Sequence, residues 1–137
     1  MSGPSGGEIS QQQLDLSELK ATKEIRDWML THPYAEWKQS PRLRLVEQCS
    51  DTALRTTLEQ LTENFSVVYF RTMHSGFSLK EGELILVSPD EGCAVKDGDR
   101  SYHLKYGTKA CFTKKISVQV SEGTTVHLIW KVKKSSI

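Results

Sequence analysis

The spacing of apolar residues changes once along the chain, near residue 65. Before this point, apolar side chains recur with the period of a helix, first within residues 14–32 and again after residue 50. After it, apolar and polar residues alternate in short β-branched and aromatic runs, which is typical of strands. The pattern predicts an α+β fold with N-terminal helices packed on a mostly antiparallel sheet of five or six strands.

The first helical segment has a clear start and a clear end. Asp15 or Ser17 is placed to cap its N-terminus. Pro33 disfavours helical backbone at the preceding residue, so the helix should end near His32. The buried stripe of this helix is predicted to consist of Ala21, Ile25, Trp28, Met29 and His32.

The link to the second helix is less regular. Tyr34 and Trp37 place two aromatic rings close together, which either close the end of a core or form a binding pocket. Ser40 followed by Pro41 is typical of a helix start, whereas residues 42–48 fit either a helix or a strand. The second helix should begin after Ser50 or Asp51 and bury Leu54, Leu58, Leu61 and Phe65.

The last two strands are predicted to pair with each other. A three-residue loop ending at Gly123 places Val118 directly opposite Val126, so that apolar residues meet apolar residues across the pair. On this parity Trp130 points into the core beneath the helices. Ile129 then lies on the opposite face of the same strand.

Length and local composition define the expected domain. At 137 residues the chain is the size of one domain, which we assign to residues 14–134. Residues 1–13 are rich in Gly, Ser and Gln and are expected to form a disordered tail, and residues 135–137 a flexible C-terminus. No apolar run is long enough to span a membrane, and residues 1–13 lack the features of a secretory signal. A cytoplasmic or nuclear location is therefore expected.

Charge is balanced overall but unevenly distributed. The formal net charge is +1, yet seven lysines and a single acidic residue, Glu122, follow Ser101. Strand alternation places several of these lysines on the face opposite Trp130, where they are either simply solvated or form a contact surface. The candidate binding residues of this lysine face are Lys115, Ile129, Lys131, Lys133 and Lys134.

Motifs for known chemistry are scarce. The sequence lacks the phosphate-binding, zinc-protease, nucleophile-elbow and EF-hand signatures, and its histidines are scattered, so no cofactor and no metal are predicted. Three cysteines without a C-x-x-C pair predict reduced thiols. The nearest approach to a catalytic pair is Cys93 with His103. They lie opposite each other if the hairpin at residues 97–99 has a three-residue loop, whereas a two-residue turn pairs Cys93 with Tyr102.

Three functions follow from these features. The lack of a catalytic set favours a non-catalytic protein-interaction module, an adaptor or subunit that contacts another protein through either an exposed sheet edge or the lysine face. An acidic protein is one candidate partner. A nucleic-acid-binding domain that uses the same lysines is the alternative. A small cysteine-dependent enzyme centred on Cys93 is the third hypothesis. The sequence does not specify an oligomeric state.

Overall fold

A computed structural model of the protein describes residues 9–32, 35–40, 46–49, 52–61 and 64–133. The fold is α+β, with helices α1 and α2 and mostly antiparallel sheets, as the pattern predicts. In chain order the elements are β1 (Ser10–Gln13), α1 (Leu16–Thr31), β2 (Lys38–Gln39), β3 (Glu47–Gln48), α2 (Thr52–Glu59), β4 (Phe65–Thr72), β5 (Ser78–Leu79), β6 (Gly82–Ser88), β7 (Cys93–Asp97), β8 (Arg100–Leu104), β9 (Thr108–Phe112), β10 (Ile116–Gln119) and β11 (Val126–Lys133).

The strands form two sheets instead of the predicted single sheet of five or six strands. Seven strands in the order β1-β9-β6-β11-β4-β3-β2 form one sheet, and β5-β10-β7-β8 form the other. One apolar cluster, which includes Phe70 and Val95, lies between the sheets. A second, which includes Ile25 and Ile129, lies between the seven-stranded sheet and the helices. The seven-stranded sheet is therefore buried on both faces.

Helix α1 begins and ends close to the predicted residues. The Asp15 side chain accepts a hydrogen bond from the Glu18 backbone N–H, and the Glu18 side chain accepts one from the Asp15 N–H. This reciprocal capping box fixes the first turn. Ala21 and Ile25 of the predicted stripe are fully buried, and Glu18 lies on the same buried face. Neither described helix is both long and apolar enough to cross a membrane.

The N-terminal segment differs from the predicted disordered tail at residues 10–13. These residues form β1, which pairs antiparallel with β9, Ser10 lying opposite Cys111. Ile9 just before them is buried in the cluster between the sheets. A strand without apolar side chains is held here because its backbone pairs with β9 and one buried anchor precedes it. Residues 1–8 and 134–137 lie outside the described ranges.

The predicted pairing of the last two strands is wrong. β10 pairs with β5 and β7, whereas β11 pairs with β4 and β6, so the turn at Gly123 connects the two sheets. The alternation of β11 was interpreted as one buried and one solvated face, but both faces are covered. Trp130 consequently packs on the cluster between the sheets instead of beneath the helices, and its indole N–H donates to the Glu81 carbonyl.

The hairpin at residues 97–99 forms with a two-residue turn. Asp97 pairs with Arg100, and Gly98 takes a positive φ of 60° in the turn between them. The register that follows places Cys93 opposite Leu104, so it matches neither predicted partner.

The link between the helices forms a small extension of the seven-stranded sheet. β2 pairs with β3, and the Ser40 N–H donates to the Val46 carbonyl at 2.8 Å, next to this pair. Of the segment 42–48, which fits either a helix or a strand, Glu47 and Gln48 form a strand. Residues 41–45, with the predicted helix start at Pro41, lie outside the described ranges. α2 begins at Thr52, as predicted.

Candidate functional site

The five residues of the predicted lysine face do not share one exposed surface. Ile129 is fully buried in the cluster beneath the helices, and Lys131 is only 6% exposed. Lys115 and Lys133 are exposed, and Lys134 lies outside the described ranges. The cause is the helical layer, which covers the face of β11 that the sequence pattern assigns to solvent.

Lys131 belongs to a group of four charges that also contains Lys109, Glu18 and Glu83. We call it the buried quartet, because Glu18 and Lys131 at its centre are buried, while Lys109 and Glu83 are partly exposed. Lys109 Nζ donates to Glu18 Oε2 at 2.8 Å and to Glu83 Oε1 at 2.9 Å. Lys131 Nζ donates to Glu18 Oε2 at 3.0 Å. Burial raises the pKa of Glu18, but hydrogen bonds from both lysines and from a backbone N–H outweigh it and hold that pKa below its ordinary value. The quartet thus ties the first turn of α1 to three strands.

Cys93 and His103 are not brought together as a catalytic pair. His103 lies opposite Ala94 in the hairpin and is exposed, whereas the Cys93 side chain is buried. Burial raises the pKa of Cys93 to about 12, which disfavours the reactive thiolate.

We expect Cys93 to react more slowly than Cys111 when the folded protein is treated with iodoacetamide at neutral pH. Cys111 should be alkylated first, because it is only partly buried. Mass spectrometry of the digested protein measures both rates, and a denatured sample, in which all three thiols react alike, serves as the control. Preferential alkylation of Cys93 would contradict this expectation and restore the cysteine-enzyme hypothesis.

A row of polar side chains crosses four neighbouring strands on the helix side of the seven-stranded sheet. Gln39 lies opposite Glu47, Glu47 lies opposite Arg71, and Arg71 lies opposite His127. Side chains in directly opposed positions are close enough to interact, with Cβ atoms about 4.5–5.5 Å apart. The row lies beside the C-terminal end of α1, since Leu30 borders the same cavity as Arg71 and His127.

Arg71 is held from two sides. Its Nε donates to Glu47 Oε1 at 2.9 Å, and its Cζ lies 4.2 Å from the centroid of the Trp37 ring. Together these contacts orient the guanidinium plane. Within the described part of the chain, the terminal nitrogens Nη1 and Nη2 carry no hydrogen bond, so up to four N–H donors remain available.

Aromatic side chains form the wall next to Arg71. The Trp37 ring meets Tyr69 and His127 edge-on, with centroid distances of 5.3 and 5.4 Å. The Tyr69 hydroxyl donates to Met29 Sδ at 2.6 Å and lies 2.8 Å from His127 Nδ1. Burial, assisted by the charge of Arg71, lowers the pKa of His127 to about 4. This imidazole is therefore neutral at physiological pH.

Two cavities share Arg71 as a wall, and we call them together the Arg71 cleft. The first measures about 230 Å³ and the second about 280 Å³. Leu30 borders the first and Met73 the second, and both are strongly exposed. The first cavity is lined by Trp28, Met29, Leu30, His32, Trp37, Arg71 and His127, and the second by Gln39, Glu47, Arg71, Thr72, Met73 and His74.

Two other kinds of candidate site were considered within the described ranges, a larger cavity and a metal site. A larger cavity of about 470 Å³ is bordered by Phe65, Glu83, Cys111 and Lys133, but Glu83 is already committed to the buried quartet. No three His, Cys, Asp or Glu side chains of the described segments come together in a way that could hold a metal ion.

The sequence pointed to one part of this cleft. Trp37 was identified as part of an aromatic link that could form a pocket, and its companion Tyr34 lies outside the described residues. Arg71 was overlooked within a strand, although it has the parity of the buried Tyr69. A charge on the inward face of a strand is the signal that could have located the cleft.

No protein-family model matches this sequence, and no curated protein is significantly similar to it. Evidence for the function therefore comes from the geometry of the chain itself.

Proposed function

We propose that the protein is a non-catalytic protein-interaction module and that the Arg71 cleft is its contact surface. The observation that carries the proposal is the half-buried Arg71 guanidinium, stacked on Trp37 and bordered by two cavities. The surface assigned from the sequence, the lysine face, is replaced because Ile129 and Lys131 are buried.

The side chains of the cleft are those that dominate protein–protein contacts. Trp, Tyr and Arg are enriched among the residues that contribute most binding energy, and Met is enriched at interfaces generally. Trp37 contacts both Arg71 and Tyr69, and Tyr69 contacts Met29, so the four side chains form one connected group. Prior contact between these groups restrains their rotamers, so less side-chain entropy remains to be lost on binding.

Exposed apolar side chains at the cleft support the same function. Leu30 is 81% exposed and Met73 is 54% exposed, and each borders one of the two cavities. Large apolar side chains next to such a cavity are typical of a surface that a partner covers. Leu16, which is 86% exposed at the other end of α1, provides a matched position away from the cleft.

We expect Leu30→Glu to reduce specific capture of partner protein from an extract of cells that express this chain by about tenfold or more. Leu16→Glu, the matched control, should leave capture unchanged. Both variants should retain the free energy of unfolding within about 0.5 kcal/mol, because neither side chain is packed. Quantitative mass spectrometry of cross-linked, affinity-purified samples measures the capture.

If Leu30→Glu and Leu16→Glu reduce capture of partner protein equally, or if neither reduces it, the cleft is not the contact surface. The nucleic-acid hypothesis gives a different result in the same experiment. In that case the captured material includes nucleic acid, and nuclease treatment or the Lys115→Glu/Lys133→Glu double variant removes it. The affinity of the protein for this nucleic acid then falls steeply as the salt concentration rises.

A further inference from the structure

The Arg71 side chain offers more hydrogen bonding than its own neighbours use. Glu47 engages Nε alone, at 2.9 Å, and the stacking on Trp37 fixes the plane of the guanidinium. Nη1 and Nη2 have no hydrogen-bond partner among the described residues. A guanidinium oriented in this way presents two parallel N–H donors, the geometry that a carboxylate matches with both of its oxygens.

The described residues that line the first cavity of the cleft carry positive charge but no negative charge. Of the described residues that border it, Arg71 is charged and none is a carboxylate, and the others are aromatic, apolar or histidine side chains. Arg71 lies directly opposite His127 in the strand register, and both side chains line this cavity, so the positive charge of Arg71 lies at its wall. An anionic group is therefore the complementary one for this side of Arg71.

The same cavity has room for an apolar side chain beside that anionic group. Its volume of about 230 Å³ exceeds the roughly 150 Å³ that accommodates benzene in an engineered protein cavity. Trp28, Met29, Leu30 and Trp37 supply apolar walls. A single branched aliphatic or aromatic side chain matches this space.

We propose that the Arg71 cleft recognises a segment of a partner protein in which a carboxylate lies next to one large apolar side chain. The carboxylate accepts from Nη1 and Nη2 of Arg71, and the apolar side chain fills the cavity between Trp28, Leu30 and Trp37. This inference rests on the proposed function and adds the chemistry of the partner to it.

The test uses N-acetyl-leucine as the probe and N-acetyl-leucinamide, which lacks the carboxylate, as its matched control. Each is titrated at millimolar concentrations into the full-length ¹⁵N-labelled protein. We expect N-acetyl-leucine to shift the indole N–H signals of Trp28 and Trp37 saturably, and the amide to bind at least about fivefold more weakly, as the loss of a charged hydrogen bond requires. Trp130, which packs on the opposite face of the sheet, is the internal reference and should not shift.

Variants at Arg71 identify the group that recognises the carboxylate. Arg71→Gln should weaken binding of N-acetyl-leucine about tenfold or more, and Arg71→Lys should weaken it as well, because it keeps the charge but loses the paired donors. Lys133→Gln, on an exposed lysine elsewhere, should not change it. An unchanged Trp130 signal in each variant shows that the fold is retained.

Several results would overturn the inference. The inference is wrong if N-acetyl-leucinamide binds as tightly as N-acetyl-leucine, if Arg71→Gln leaves binding of N-acetyl-leucine unchanged, or if the tryptophan signals show no saturable shift. Stronger shifts with inorganic phosphate than with N-acetyl-leucine would also overturn it and would indicate a phosphate-bearing partner instead. Failure of the proposed function has a separate signature. If N-acetyl-leucine binds at Arg71 but Leu30→Glu leaves protein capture unchanged, the acidic-ligand site stands and the interaction surface lies elsewhere.

Discussion

Lys131→Glu should lower the free energy of unfolding by about 4 kcal/mol, because removing one partner of a buried ion pair leaves its counter-charge uncompensated. Lys131 is 6% exposed, and its ammonium contacts Glu18 and Glu83 at 3.0 and 3.5 Å. The ammonium also lies 4.3 Å from the centroid of the Phe65 ring, a contact that a carboxylate cannot replace. A glutamate here would add a third carboxylate to the buried site. Urea denaturation followed by tryptophan fluorescence measures the change.

Lys115→Glu and Lys133→Glu are the matched charge reversals. Both side chains are exposed, so each variant should stay within about 0.5 kcal/mol of the wild type. If Lys115, Lys131 and Lys133 were all solvated, the three charge reversals would instead have equally small effects on the free energy of unfolding. Wild-type stability of Lys131→Glu would therefore contradict the buried quartet and restore the surface inferred from the sequence.

Local signals in the sequence were sufficient for α1. A capping residue, a 3.6-residue apolar stripe and a proline after the end act within one segment, and the helix spans Leu16–Thr31 accordingly. The residues around Gly98 were sufficient to locate a hairpin but not to fix its loop length, and the two-residue turn that forms gives Cys93 a partner, Leu104, that neither predicted register contains.

Strand β11 shows what alternation alone cannot determine. Its pattern separates Leu128 and Trp130 from Ile129 and Lys131, and the structure keeps that separation. The sequence cannot show whether the second face meets water or another layer, because the layer comes from α1, about a hundred residues earlier. A buried lysine looks like a solvated one until its partner Glu18 is brought to it.

The Arg71 cleft depends on the same long-range assembly. Its polar row needs β2, β3, β4 and β11 to be neighbours in one register, an order that follows from pairing and not from chain proximity. Trp37 was the one member with a local signal, as an aromatic residue in a link. Glu47 and His127 acquire a role only because the register places them on either side of Arg71.

Glu18→Gln should lower the free energy of unfolding by about 3 kcal/mol at pH 7, because Lys109 and Lys131 lose the negative charge that they share. Glutamine keeps an oxygen that can accept from the Asp15 backbone N–H, so the helix cap is preserved. The loss therefore reports the charge and not the capping box. Glu122→Gln, at an exposed turn residue, is the control and should be neutral.

The dependence of this loss on pH gives an independent check of its sign. The folded-state pKa of Glu18 lies below its ordinary value of 4.5, so the unfolded chain takes up this proton first as the pH falls. The stabilisation is fully present above the ordinary pKa and is lost as the pH decreases through the folded-state pKa. Wild type and Glu18→Gln should therefore differ most near neutral pH and converge in acid. A difference that stays constant from pH 7 to well below 4.5 would mean that Glu18 stabilises the fold through packing and not through its charge.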